Sequence, residues 1–187
     1  DICVCNCAGY STAAVSDLVF GMLISFYRRL SACDSAVRAG KTKDGLIGFE
    51  LAGKKFGVIG TGAIGTRVLS IAQAFGCETY AYSRTKKDIA GVTYTDLDTL
   101  LSACDIVSLH VPLTEETRGM VHAGNISLMK KNAVLINTAR GPVVDSAALT
   151  AALQNQQIAG ACIDVFDTEP PLSTDLPLLQ EKNLIAA

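Results

Sequence analysis

The stretch from Lys55 to Gly76 reads KFGVIGTGAIGTRVLSIAQAFG, and it decides the fold. Its first six residues form an apolar run of strand length. Glycines 60, 62 and 65 then spell G-x-G-x-x-G, and a helical pattern follows at once. The motif alone says little. Preceded by a strand and opening a helix, it points to a dinucleotide-binding unit. Gly60 permits the tight turn. Gly62 lets the backbone approach a pyrophosphate, and Gly65 lets the helix pack on the strand. The helix start then offers its unpaired N–H groups to phosphates.

Outward from this unit the same alternation recurs. ETYAYS, DIVSLHV, AVLINTA, IAGACIDVF and NLIAA read as further strands. TDLDTLLSA, NISLMKK and DSAALTAALQNQ read as helices between them. Continuous apolar strands separated by helices predict a parallel sheet covered on both faces. Right-handed crossovers make this an α/β, doubly wound, three-layer α/β/α Rossmann domain. Upstream, residues 1–5 read as a short strand and Ser11–Leu30 as one long helix, capped by Ser11 or Thr12. RAGKTKDGLIGFEL and the proline-rich DTEPPLSTDLPL read as loops.

The 187 residues fit one dinucleotide-binding domain spanning 1–187. A net charge of -2 and a pI of about 5.7 give no hint of a nucleic-acid partner. The longest apolar run, Leu18 to Tyr27, is too short to span a bilayer. Seven cysteines without framework spacing read as free thiols in a reducing compartment, hence a cytoplasmic protein. CVCNC places Cys3, Cys5 and Cys7 on alternate residues, but no second ligand pair follows, so no metal is expected.

The second strand of this pattern ends in AYSR. The acidic residue that grips an NAD ribose belongs at this tip, and Ser83 stands there instead. Serine does not repel a 2′-phosphate. Arg84 offers it a bidentate fork, and Lys86 and Lys87 add positive field. The tip therefore favours NADP, with NAD left open.

LHVPLTEETRGMV, LINTARGPVVD and DVFDTEP follow the glycine turn in that order, and AGYSTAAVSDLVFGMLISFYRRL precedes it. Together these resemble the D-isomer-specific 2-hydroxyacid dehydrogenases, of the glycerate dehydrogenase and glyoxylate or hydroxypyruvate reductase type. The resemblance covers essentially the whole chain. It implies hydride transfer between a nicotinamide cofactor and a 2-oxo acid or D-2-hydroxy acid. Arg140 matches the arginine that holds the substrate carboxylate and polarises its carbonyl. Glu169 matches the carboxylate paired with the catalytic histidine. Asp164 matches the acceptor for the nicotinamide carboxamide, and Thr138 and Ala139 match backbone contacts at that end. Val111 and Pro112 match a wall of the adenine site, with Thr117 near it. Ala63 and Ile64 match the turn over the pyrophosphate. The Ser11–Leu30 helix matches the region that forms a homodimer.

The family's catalytic histidine follows the last strand, in a TPH-like motif, and NLIAA ends just before that point. The lobe that carries much of the substrate pocket is likewise expected outside these residues, which leaves this chain binding dinucleotide without turnover. His110 reads as lining the adenine side or packed, and His122 as surface. The alternative is an NAD(H)-sensing, corepressor-like binding module of the same fold.

Overall fold

A computed structural model describes residues 2–187 apart from 4, 6, 8 and 43. The chain opens with α1 (Thr12–Arg28) and α2 (Leu30–Arg38). It then runs β1 (Lys55–Ile59), α3 (Ala63–Ala74), β2 (Glu78–Tyr82), β3 (Val92–Tyr94), α4 (Leu97–Ala103) and β4 (Ile106–Leu109). The second half is α5 (Ala123–Ile126), β5 (Val134–Asn137), α6 (Ser146–Gln154), β6 (Gly160–Ile163) and β7 (Leu184–Ala186). The strands form one seven-stranded sheet in the order β3-β2-β1-β4-β5-β6-β7, with every pairing parallel. This is the doubly wound α/β fold that the sequence predicts.

All four residues of β4, β5 and β6 are buried, as expected for strands covered on both faces. On one face, α1 and α3 bury Val19, Leu23, Val68 and Leu69 against Phe56 and Val58. Phe20 stacks on Phe56 and Phe75 at 5.7 and 5.4 Å. On the other face, Leu100, Leu101 and Leu149 of α4 and α6 pack over Leu109 and Leu135. Each fully buried side chain of this size stabilises the fold by about 1.5–3 kcal/mol.

A partly buried ion pair ties strand starts together. Asp105 accepts from Lys130 Nζ at 2.8 Å and from the Lys55 backbone N–H at 2.9 Å. Burial alone would raise the Asp105 pKa. The bonds from Lys130 and Lys55 outweigh it and hold the carboxyl below its ordinary value.

Four local expectations need correction. Ile2, Cys3 and Cys5 lie in no strand, while Asp1 and Val4 lie outside the described residues. The Ser11–Leu30 helix is two helices, broken at Arg29, whose φ of 53° is left-handed. The Arg29 guanidinium donates to the Gly45 carbonyl, a contact no helical periodicity signals. The helix then resumes, so α2 occupies residues expected to precede a loop. Two smaller differences complete the set. β3 is a three-residue, half-buried edge strand, too short to show alternation. α5 starts ahead of NISLMKK because His122 caps it, and it ends at Ile126, so five of the seven residues expected in a helix lie beyond its end. The His122 Nδ1 accepts from Gly124 N–H at 3.1 Å, and Asn125 Oδ1 accepts from His122 N–H at 2.8 Å.

Candidate functional site

The strand order reverses between β1 and β4, because β2 and β3 lie to one side and β5 to β7 to the other. In open α/β sheets the crevice at the carboxyl ends of such strands receives the ligand. Gly60 leaves β1 there with φ +98°, a conformation that L side chains rarely adopt. Gly62 caps α3 and meets nothing: a Cβ built on it would project into open space. That bareness keeps a cradle free over the helix start. No side chain caps α3, so the first-turn N–H groups at Ala63 and Ile64 are left for an outside acceptor. A Cβ on Gly65 would overlap the Gly60 carbonyl, so only glycine brings this helix so close to the turn.

Two cavities flank the glycine turn. The larger, of about 510 Å³, lies over the tip of β2. Ser83 and Arg84 form one wall, and Val111, Pro112 and Thr117 from the loop after β4 form the other. The smaller, of about 380 Å³, is lined by Ile64, Thr138, Ala139 and Arg140. His110, Val111 and Pro112 line both, so the two make one cleft along the carboxyl edge. Within it the Thr61 and Thr138 hydroxyls are buried with no partner. Buried hydroxyls are normally bonded. A bare cradle, free helix N–H groups and two orphaned hydroxyls fit a dinucleotide, with its phosphates at the turn.

His110 forms the saddle between the halves. Its Nε2 lies 2.9 Å from Ser108 Oγ, and burial lowers its pKa to about 4. The ring is therefore neutral at pH 7, a packed residue that lines the cleft. His122 is exposed and serves as the α5 cap.

The turn after β5 carries Arg140. Asn137, at the end of β5, holds it: Asn137 Nδ2 donates to Arg140 O at 2.9 Å, and Asn137 Oδ1 accepts from Ala139 N–H at 3.0 Å. The Arg140 guanidinium donates to Ala139 O at 2.6 Å and is exposed at the mouth. Asp164 follows β6, and its N–H donates to Asn137 O at 3.0 Å. Burial, then the charge of Glu169, raises the Asp164 pKa above its ordinary value. Asp164 is half-buried and Glu169 exposed, and neither lines the two cavities. Ser83, Arg84, Val111, Pro112, Thr117, Thr138, Ala139 and Arg140 thus converge on one cleft, with the acidic pair beside its Arg140 end.

Two contributors carry no clear sequence signal. Asn137 is one, although an asparagine closing an apolar strand is a turn-former by chemistry. Glu116 is the other: it lines the larger cavity and pairs with Arg84 at 3.7 Å. Among the described residues no three His, Cys, Asp or Glu side chains group to hold a metal. Cys3, Cys5 and Cys7 are exposed, while burial pushes the Cys104 and Cys162 thiols up to about 12.

Fold and cleft together define a Rossmann-type dinucleotide-binding domain. The family described as D-isomer specific 2-hydroxyacid dehydrogenase, NAD binding domain, matches residues 20–187. The chain belongs to that family and carries its NAD-binding domain. It is 42% identical to a glyoxylate reductase of Thermococcus litoralis, over all of this chain and 59% of that enzyme. Among solved structures, an acyclic imino acid reductase in complex with NADPH and D-Arg superposes with a TM-score of 0.90 at 33% identity. That match covers 97% of this chain and 59% of the other. D-lactate dehydrogenase with NAD+ from Lactobacillus jensenii gives 0.86 at 31% identity, over 97% and 60%. The chain therefore spans about 59% of the length of the Thermococcus glyoxylate reductase.

Proposed function

We propose that this domain serves an oxidoreductase that moves hydride between a nicotinamide cofactor and a 2-oxo acid or D-2-hydroxy acid, of the glyoxylate or hydroxypyruvate class. The single observation that supports it best is the continuous cleft from Ser83 through the glycine turn to Arg140. A bound nicotinamide supplies the hydride chemistry, and the protein supplies geometry and charge. The α3 N-terminus holds the pyrophosphate, with Ala63 and Ile64 over it. Val111, Pro112 and Thr117 wall the adenine end. Thr138 and Ala139 hold the nicotinamide end, and Asp164 accepts from its carboxamide. Arg140, planar and always charged, fixes the substrate carboxylate and polarises its carbonyl. Glu169 keeps a histidine from a companion lobe protonated as the acid.

At the adenosine end the uncharged Ser83 and the basic Arg84 and Lys87 support acceptance of NADP, in preference to NAD. The relatives bear the names of enzymes, which gives a corepressor-like sensor no support.

Leu30, Val37, Ile47 and Phe49 are large apolar side chains exposed on and after α2, which supports a homodimer through this region. No helix among the described residues is long and apolar enough to cross a membrane. Unpaired cysteines support a cytoplasmic setting.

Calorimetric titration of the 187-residue chain with NADPH and NADH tests the core of this reading. Binding of at least one, with no turnover of glyoxylate or hydroxypyruvate by the chain alone, is expected. Failure to bind either dinucleotide would sink the cofactor assignment. Turnover above a no-enzyme control would sink the companion lobe.

A further inference from the structure

The tip of β2 lacks the carboxylate that reads an unphosphorylated ribose, yet a carboxylate is present on the opposite wall. We propose that Glu116 sets the choice between phosphorylated and unphosphorylated dinucleotide by competing for Arg84. The inference rests on the cofactor reading above and adds to it the residue that tunes discrimination.

Glu116 Oε2 lies 3.7 Å from Arg84 Nη1, and both residues line the larger cavity. They come from different elements, Arg84 from the end of β2 and Glu116 from the loop after β4. That loop is held by its own bonds. Thr117 Oγ1 donates to Pro112 O at 2.6 Å and accepts from Thr114 N–H at 2.8 Å. The backbone on either side of Glu116 is thus closed into a turn, which fixes where its side chain starts.

At 3.7 Å the carboxylate holds the guanidinium by charge without a hydrogen bond, and a phosphate has to compete with that charge for the same fork. A 2′-phosphate brings between one and two negative charges at neutral pH. Its entry separates Arg84 from Glu116 and leaves two like charges at one mouth. A ribose diol brings no charge, and its hydroxyls donate to a carboxylate without displacing it. Glu116 therefore weakens the phosphorylated dinucleotide relative to the unphosphorylated one. Both side chains are highly exposed, 91% for Arg84 and 77% for Glu116, so the pair adds little to folding. Its effect is on ligand choice, and its variants fold.

The test is titration of the protein with NADPH and NADH, by calorimetry, for the parent, Glu116→Gln, Arg84→Ala and the double variant. Glu116→Gln is expected to raise the affinity ratio for NADPH over NADH about two- to fivefold. The gain disappears in the Arg84→Ala background. Glu115→Gln removes the same charge from the neighbouring exposed position and leaves the ratio unchanged. An unchanged ratio in Glu116→Gln overturns the proposal, as does an equal gain without Arg84 or with Glu115→Gln. Failure of the parent to bind either dinucleotide overturns the cofactor reading, and Glu116 with it.

Discussion

Gly60 and His110 meet backbone to side-chain space where the strand order reverses: a Cβ on Gly60 would lie 2.5 Å from the His110 carbonyl oxygen. The same position has φ +98°. Gly60→Ala therefore suffers twice, from a left-handed backbone and from a clash with a buried strand end. A stability loss of about 1–3 kcal/mol from the backbone alone is expected, with the clash adding to it. Urea unfolding of the variant checks it, and an unchanged midpoint contradicts the geometry.

Gly62→Ala makes the opposite case. Its Cβ meets no atom of the protein, and its backbone is extended. Stability should fall by no more than about 1 kcal/mol, the difference between glycine and alanine as an N-cap. Dinucleotide affinity should drop at least roughly tenfold, because the methyl enters the space over the α3 N-terminus. Equal affinity in parent and variant, by calorimetry, would show that the cradle is not where phosphates sit.

Asn137→Ala removes both bonds that hold the turn before Arg140. Asn137 is buried, so about 1–3 kcal/mol of stability should be lost as the Ala139 N–H loses its acceptor. Arg140→Lys leaves the turn intact because the Arg140 side chain is exposed. On the proposed function, and in a protein that carries the companion lobe, the first should raise KM for the 2-oxo acid and lower kcat together, since the fork is misplaced. The second should cut kcat/KM by at least about tenfold with stability unchanged, since lysine lacks the fork. Parental kinetics for Arg140→Lys would remove the arginine from substrate binding.

Acid acts on this protein in two successive windows. Burial depresses the folded His110 pKa to about 4, below the roughly 6.5 of an unfolded chain. Between those values the unfolded state takes up a proton that the folded state refuses, so stability falls as pH drops from about 6.5 to 4. Asp105 is also depressed in the folded state, by its bonds to Lys130 and Lys55. Its contribution is complete above the unfolded carboxylate range of about 3.9 and is lost as pH falls through its lower folded value. Urea midpoints at pH 7, 5.5 and 4.5 should decline for the parent, with a flatter decline in His110→Gln. Identical slopes in the two proteins would contradict a buried neutral imidazole.

What could be read from the sequence followed how local each signal was. KFGVIG, the three glycines and the helix after them are contiguous, and β1, the turn and α3 appear where expected. The alternation of apolar runs likewise predicted a parallel sheet, while the order of its strands came only with the structure. Glu116 was invisible because its meaning depends on Arg84, which lies on another element and meets it only through the sheet. The break at Arg29 was hidden for a related reason: its guanidinium contact lies sixteen residues away, at Gly45. His122 capped α5 against the usual preference for Ser, Thr, Asp or Asn at that position. Cleft residues carried by the resemblance, such as Thr138 and Arg140, needed no such long-range partner to be named.

The reversal of strand order between β1 and β4 has an outcome for how this molecule can change. The gap it opens exists because two connections depart in opposite directions, and no packed side chain had to be removed to make it. The Asp105 clamp secures the opposite edge, at the starts of β1, β4 and β5. One rim of the sheet thus behaves as a fixed hinge-plate and the other as an open workbench. Loops on the workbench can trade one recognition group for another while the plate keeps the strands in register.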